Sequence, residues 1–122
     1  MTIIPTSISH VRLTVTDIDR SRRFYESVFG WPVAMELPDG VLYAAGDSLV
    51  GLRPAASDVF DENRVGLDHL AMNVASKSEL DAAAAHLDSL GVGHEPVKDI
   101  GIIYILEFRD PDNIALELCA PK

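Results

Sequence analysis

Two stretches of the chain alternate apolar and polar residues in the same phase. Val11, Leu13 and Val15 alternate with Arg12, Thr14 and Thr16, while Leu70, Met72 and Val74 alternate with His69, Ala71 and Asn73. A period of two predicts a strand with one face packed against a core. After the first strand, Asp17 is suited to cap a helix carrying Ile18, Phe24, Tyr25, Val28 and Phe29, and Gly30 fits a left-handed stop. Trp31 to Met35 then reads as extended, Pro38-Asp39-Gly40 as a turn, and Val41–Ala45 with Ser48–Leu52 as a hairpin about Gly46-Asp47. After the second strand, Ser76-Lys77-Ser78-Glu79 has the form of a capping box. The helix it opens is predicted to bury Leu80, Ala83, Ala84, Leu87 and Leu90 and to end at Gly91. A strand near His94 to Val97, a turn at Gly101, a strand over Ile102–Phe108, a tight turn at Asp110-Pro111-Asp112-Asn113 and a last strand over Ile114–Cys119 complete the pattern. Asn113 tolerates the left-handed conformation such a turn needs.

The two halves are therefore copies of one βαβββ unit. His10 and His69 open the copies 59 residues apart, and Gly30 and Gly91 follow 61 residues apart. The expected fold is α+β, with two βαβββ modules (about 7–53 and 66–120, joined by a 54–65 linker) forming a half-open mixed sheet barrel. The helices lie outside and a concave pocket within. Each half alone is too small to be stable, so residues 1–122 should form a single domain. His10, Arg12 and Thr14 share one strand face, as do His69, Ala71 and Asn73. Those faces are too polar for a core and suit a pocket lining.

The last strands of the copies align Leu49-Val50-Gly51-Leu52 with Ala115-Leu116-Glu117-Leu118. Alternation turns Glu117 to the same face as Ala115 and Cys119. A carboxylate within a strand and flanked by leucines needs a partner. His10, His69 and Glu117 then form a two-histidine, one-carboxylate set. Such a set leaves open positions on a divalent ion, which can polarise a substrate chelated through adjacent oxygens. The competing reading is a hydrogen-bonded cluster without metal. Arg12 bears on both: it can pair with Glu117 or meet an anionic substrate group.

Composition narrows the partners. The net charge of −9 opposes nucleic acid and anionic membrane surfaces. The single cysteine, Cys119, rules out an intrachain disulfide. No apolar run is long enough to span a bilayer, and the first residues lack the form of a signal peptide, so a cytoplasmic protein is expected.

Four motifs resemble one family. Ser9-His10-Val11-Arg12-Leu13-Thr14-Val15, Arg23-Phe24-Tyr25-Glu26-Ser27-Val28-Phe29-Gly30-Trp31, Leu67-Asp68-His69-Leu70-Ala71 and Phe108-Arg109-Asp110-Pro111-Asp112-Asn113-Ile114-Ala115-Leu116-Glu117-Leu118 look like the vicinal oxygen chelate superfamily. That superfamily includes glyoxalase I, fosfomycin resistance transferases, extradiol dioxygenases and bleomycin resistance proteins. The resemblance implies metal ligands at His10, His69 and Glu117, with one divalent ion (Fe, Mn, Zn or Ni). Gly51 stands where glyoxalase I carries a fourth ligand. The chain also ends at Lys122, without the C-terminal stretch in which fosfomycin enzymes place a phosphonate-binding arginine and without the doubled length of most extradiol dioxygenases.

The expected function is a glyoxalase- or dioxygenase-like metal enzyme (a lyase, isomerase, transferase or dioxygenase) acting on an oxygen-chelating small molecule. The alternative is a metal-free, bleomycin-resistance-type protein that sequesters one. A homodimer covering the sheet edges is expected in either case. Glu107 is the candidate general base if the turn at Asp110 to Asn113 keeps simple strand pairing. Arg12, Arg53, Asn73 and Tyr104 are the candidate substrate contacts.

Overall fold

The computed structural model describes residues 1–122. Its elements run β1 (His10–Val15), α1 (Ile18–Val28), β2 (Val33–Leu37), β3 (Gly40–Ala45), β4 (Ser48–Pro54), β5 (Leu70–Asn73), α2 (Lys77–Ser89), β6 (Lys98–Asp99), β7 (Ile103–Arg109) and β8 (Ala115–Pro121). They build two four-stranded mixed sheets of identical plan, ordered β1-β4-β3-β2 and β5-β8-β7-β6. In each sheet the first strand pairs in parallel with the last and the remaining pairs are antiparallel. This is the two-module α+β arrangement that the alternation predicts. The chain divides into two compact units, Met1–Asp58 and Val59–Lys122, described in turn.

In the first unit the packed face is the one phased by Leu13 and Val15, both buried, which align with Leu52 and Pro54 of β4. Val50, Leu52, Val41 and Tyr43 extend this core across the sheet, and Tyr25 enters it from α1. Asp17 caps α1 as expected, accepting from the Arg20 amide at 3.1 Å. The helix ends differently from its sequence. Phe29 leaves it in extended conformation (φ −109°, ψ 139°), still donating its amide to the Tyr25 carbonyl, and Gly30 is not left-handed. The reason lies in the ring contacts: extended Phe29 stacks on Trp31 at 4.1 Å with an interplanar angle of 6°. A left-handed turn at Gly30 would redirect the chain between those two rings.

In the second unit Leu106, Phe108, Leu116 and Leu118 face α2, which contributes Leu80 and Leu87. The Ser76 hydroxyl accepts from the Glu79 amide at 3.2 Å, and the Glu79 carboxylate reaches back to the Ala75 amide at 3.1 Å. The capping box thus closes one residue earlier than its standard form. Gly91, at φ 70°, stops the helix, and Val92 donates to the Leu87 carbonyl across it. Leu90 is not buried as the periodicity predicts; it lies at the frayed end and is exposed. The strand expected near His94 to Val97 is reduced to a single bridge, His94 to Phe108, followed by two-residue β6. Pro96 accounts for the interruption. The His94 ring contacts the Asp88 carboxylate and the Glu95 carbonyl, and Pro96, two residues on, has no N–H to continue the ladder.

Residues 59–65 are not a loose connection. The Phe60 amide donates to the Asp112 carbonyl and the Asn113 side chain donates to the Phe60 carbonyl, both at 3.1 Å. Arg109 grips Glu62 through two hydrogen bonds, at 2.7 and 3.2 Å. Asn113 adopts φ 68°, and the Asp110 carboxylate accepts from the Asp112 and Ile114 amides at 2.8 Å each, which sets the β7–β8 turn.

Candidate functional site

The unpacked face of the second sheet carries the chemistry. The register places Glu107 directly across from Glu117 on one side, and Ala71 beside Glu117 on the other. The β7–β8 turn therefore keeps simple pairing, and Glu107 shares the face of Glu117. A cavity of about 510 Å³ opens over this face, lined among others by Asp68, His69, His94, Glu107, Arg109 and Glu117.

His69 and Glu117 meet there. His69 Nε2 lies 3.4 Å from Glu117 Oε2. Each is held from its far side. Asp68 Oδ1 is 2.6 Å from His69 Nδ1. The Cys119 thiol donates to Glu117 Oε1 at 3.3 Å. With Nδ1–H donated to Asp68, the neutral ring presents a bare Nε2 lone pair to Glu117, and the protonated ring presents an Nε2–H. Asp68 holds the His69 pKa above its usual value; burial opposes this, and the charge of Glu117 adds to it. Burial pushes the Cys119 thiol up to about 11, helped by its bond to Glu117, so it remains a protonated donor.

This geometry can be tested against a divalent ion. Two ligands adjacent on one ion, at bond lengths of ~2.0–2.2 Å, sit about 2.8–3.1 Å apart at a right angle and about 3.3–3.6 Å apart at the tetrahedral angle. The Nε2–Oε2 separation of 3.4 Å falls within the tetrahedral range. His69 and Glu117 thus fit as two ligands. Within neither module do three or more His, Cys, Asp or Glu side chains converge as a complete set.

His10 begins β1, exposed, with its Nδ1 2.9 Å from the Ser9 hydroxyl. It is the counterpart of His69 by position in the repeat. The counterpart of Glu117 is Gly51: Arg12 and Leu42 flank Gly51 in the register as Ala71 and Glu107 flank Glu117. A side chain has no room at Gly51. Its Cβ would lie 2.6 Å from Leu42 Cδ2 and 3.0 Å from Arg12 Cγ. Arg12 pairs with Asp39, at 3.1 Å, across the β2–β3 turn of its own module.

The other candidates separate by strand parity. Arg53 is two residues beyond Gly51 on the same face, at the end of β4. Asn73 shares the His69 face at the end of β5 but does not line the cavity. Tyr104 lies three residues from Glu107, hence on the opposite face, aligned with Ala120 and placed beneath Lys77 and Lys122. Glu107 itself is paired with Lys98 at 3.0 Å.

Sequence reasoning passed over Asp68, whose adjacency to His69 was the available signal. It also passed over His94, Glu95 and Glu62, which line the cavity. The ring of His94 faces an acceptor at each nitrogen, the Glu95 carbonyl at 2.7 Å and Asp88 at 2.8 Å. Those two acceptors, the carbonyl first, raise its pKa.

Comparison with known proteins agrees with the fold and the motifs. Residues 7–118 match the model of the Glyoxalase/Bleomycin resistance protein/Dioxygenase superfamily. Catechol-2,3-dioxygenase of Bacillus subtilis (strain 168) is 28% identical over 123 aligned residues, covering 96% of this chain, but the chain spans only 42% of that protein's length. The crystal structure of a glyoxylase/bleomycin resistance protein/dioxygenase domain from Frankia sp. EAN1pec superposes with a TM-score of 0.82 at 32% identity, covering 98% of this chain and 94% of the other. A fosfomycin resistance protein, FosX from Listeria monocytogenes, shares the fold alone, with a TM-score of 0.78 at 20% identity over 98% of this chain and 95% of its own. A point mutant of that protein was crystallised with Mn(II) and 1S,2S-dihydroxypropylphosphonic acid. With the family model spanning nearly the whole chain, the protein belongs to the glyoxalase/bleomycin resistance protein/dioxygenase superfamily.

Proposed function

We propose that this protein is a divalent-metal-dependent enzyme acting on an oxygen-chelating small molecule, with His69, Glu117 and His10 as the ligands. The observation that carries the reading is the opposition of His69 Nε2 and Glu117 Oε2 at 3.4 Å. A bare Nε2 facing a carboxylate oxygen is relieved either by a proton on the ring or by a shared cation, and we adopt the shared cation. His10 supplies the third donor, from this chain or from a second copy in a homodimer. A bound divalent ion would supply Lewis-acid stabilisation of negative charge developing on a chelated oxygen. Glu107, facing the same cavity, takes up the substrate proton, and Lys98 keeps its carboxylate in place. Arg53 is assigned to a remaining polar group of the substrate. The chemistry these residues would supply is proton transfer beside a chelated oxygen.

Titration of Fe(II), Mn(II), Zn(II) and Ni(II) into metal-free protein, with a melting curve at each point, tests this. The wild type is expected to gain several degrees with at least one ion. Glu117→Gln keeps the volume and removes the charge, and should lower the affinity by a hundredfold or more while metal-free stability changes little. A wild type that gains nothing from any of the four ions overturns the reading. It would leave a binding protein that sequesters its ligand without metal.

A further inference from the structure

We infer that Asp68 and Cys119 are a pair of positioning residues, one behind each ligand, which aim His69 and Glu117 at a common point. The inference rests on the metal reading for its purpose, but its geometry stands in the metal-free protein. His69 Nε2 and Glu117 Oε2 stand 3.4 Å apart, an ion pair only when the ring is protonated. Each is held elsewhere. Asp68 takes the Nδ1 end of His69 at 2.6 Å, and the Cys119 thiol takes Glu117 Oε1 at 3.3 Å.

The two contacts work by different means. His69 sits just before β5, 43% exposed, with a ring free to rotate about two bonds. Accepting from Nδ1–H fixes both the tautomer and the ring plane, which leaves Nε2 as the donor toward the cavity. Glu117 lies on β8 with its side chain only 13% exposed, and its two oxygens are equivalent until something distinguishes them. The thiol occupies Oε1, so Oε2 alone faces His69. Cys119 reaches it because residues two apart on a strand share a face. Ile105, aligned with Cys119, is buried beside it.

The carboxylate-to-histidine contact in turn raises the donor strength of Nε2. Loss of such an outer partner costs roughly ten- to a hundredfold in metal affinity. The thiol contact, weaker as a hydrogen bond, acts through orientation: without it Glu117 is free to turn either oxygen to the cavity or to swing toward Lys98, which already holds Glu107.

Two measurements on one set of variants test the pair. The first uses metal-free protein, in which 15N imidazole shifts report the His69 tautomer above its pKa. Wild type is expected to show Nδ1 protonated and Nε2 bare. Asp68→Ala should move the ring toward the opposite tautomer, and Asp68→Asn, which retains an acceptor, should restore most of the wild-type pattern. The second is Mn(II) binding by calorimetry. Asp68→Ala and Cys119→Ala should each weaken it about tenfold or more, whereas Cys119→Ser, still a donor, should stay within about threefold of wild type.

Unchanged tautomer in Asp68→Ala overturns the role of Asp68, and unchanged Mn(II) affinity in a folded Cys119→Ala overturns that of Cys119. Variants that lose melting temperature but bind Mn(II) as wild type does would show packing roles only, which also overturns the inference. A wild type that takes up no Mn(II) or other divalent ion overturns the metal reading instead, while the tautomer result still decides what Asp68 does to His69.

Discussion

The two modules share strand order, the register of their parallel strand pairs and side-chain caps at the helix N-termini, yet corresponding rungs of their sheets are built for different ends. In the first module the rung reads Arg12, Gly51, Leu42; in the second it reads Ala71, Glu117, Glu107. The first is filled by packing. Gly51 is buried, the stem of Arg12 and the tip of Leu42 occupy the space its side chain would take, and the Arg12 charge is drawn to Asp39. The second is filled by carboxylates, with a small Ala71 beside them and a cavity above. Duplication supplies the scaffold twice, and side-chain size at three aligned positions decides which copy keeps a carboxylate and which closes over.

The helices show the same trade in their cores. Four residues after the N-cap stands Ser21 in α1 and Leu80 in α2, and four residues later Tyr25 and Ala84. Large follows small in one helix, and small follows large in the other. Ser21, Tyr25 and Leu80 are all buried, so the volume delivered to each sheet is comparable although its placement is reversed.

The largest effect on this comparison is expected where the first rung is overfilled. Gly51→Ala puts a methyl 2.6 Å from Leu42 Cδ2 and 3.0 Å from Arg12 Cγ. Leu42 has to turn and Arg12 has to give, which costs about 1–3 kcal/mol, more than the entropy gained by replacing a glycine. Urea denaturation measures it. Shortening the neighbour in Gly51→Ala/Leu42→Val should recover part of the loss. A single Gly51→Ala variant as stable as wild type would mean that the first rung is open rather than filled.

Much of this was readable from the chain alone, and the exceptions share a cause. Alternation identified both packed faces because burial on one side of a strand imposes a period of two. Asp17, Ser76 and Gly91 were readable because caps depend on residues within four positions. Glu117 facing His69, and Glu107 facing Glu117, followed from parity once the strands were placed. What escaped depends on distant partners. Arg12 finds Asp39 27 residues away, Arg109 finds Glu62 47 residues away, and Gly30 is overruled by the stack of Phe29 on Trp31. Tyr104 escaped for a smaller reason: assigning its face needed the register of β7, which only the paired strand supplies.

The caps are the next effect in size. Ser76→Ala removes the acceptor for the Glu79 amide and should cost about 1 kcal/mol, and Asp17→Ala the same for the Arg20 amide. A loss from either variant seen equally by probes in both modules would show that the modules unfold together. A loss seen by a probe in one module alone, such as Trp31 fluorescence for the first, would separate them.

Ser21 offers a gain instead. Its hydroxyl is fully buried with no hydrogen-bond partner. Ser21→Ala removes an unsatisfied polar group at almost no change in volume and should stabilise the first module by roughly 0.5–1 kcal/mol. The equivalent position in the second module, Leu80, already lacks a polar atom. If Ser21→Ala lowers the denaturation midpoint, the hydroxyl is bonded in solution and the contrast between the helices is one of size alone.

The smallest effect concerns the segment that wraps onto the second module. Two hydrogen bonds from Arg109 are the first cause that lowers the Glu62 carboxyl to about 2, and a hydrogen bond with its own backbone is the second. A carboxylate whose folded pKa lies below its unfolded one, about 4.3, adds stability above the unfolded value. That contribution is lost as pH falls from about 4.3 through about 2. The pair is exposed enough for solvent and salt to screen it, so the change in overall stability should be slight and local. The direct readout is the carboxyl 13C shift of Glu62 during acid titration. Wild type should titrate near 2 at low salt, and Arg109→Gln should return the midpoint toward the ordinary range near 4. High salt should move the wild type in the same direction. A wild-type midpoint already near 4 would mean that Arg109 does not hold Glu62 in solution, and that residues 59–65 are kept on the β7–β8 turn by Phe60 and Asn113 alone.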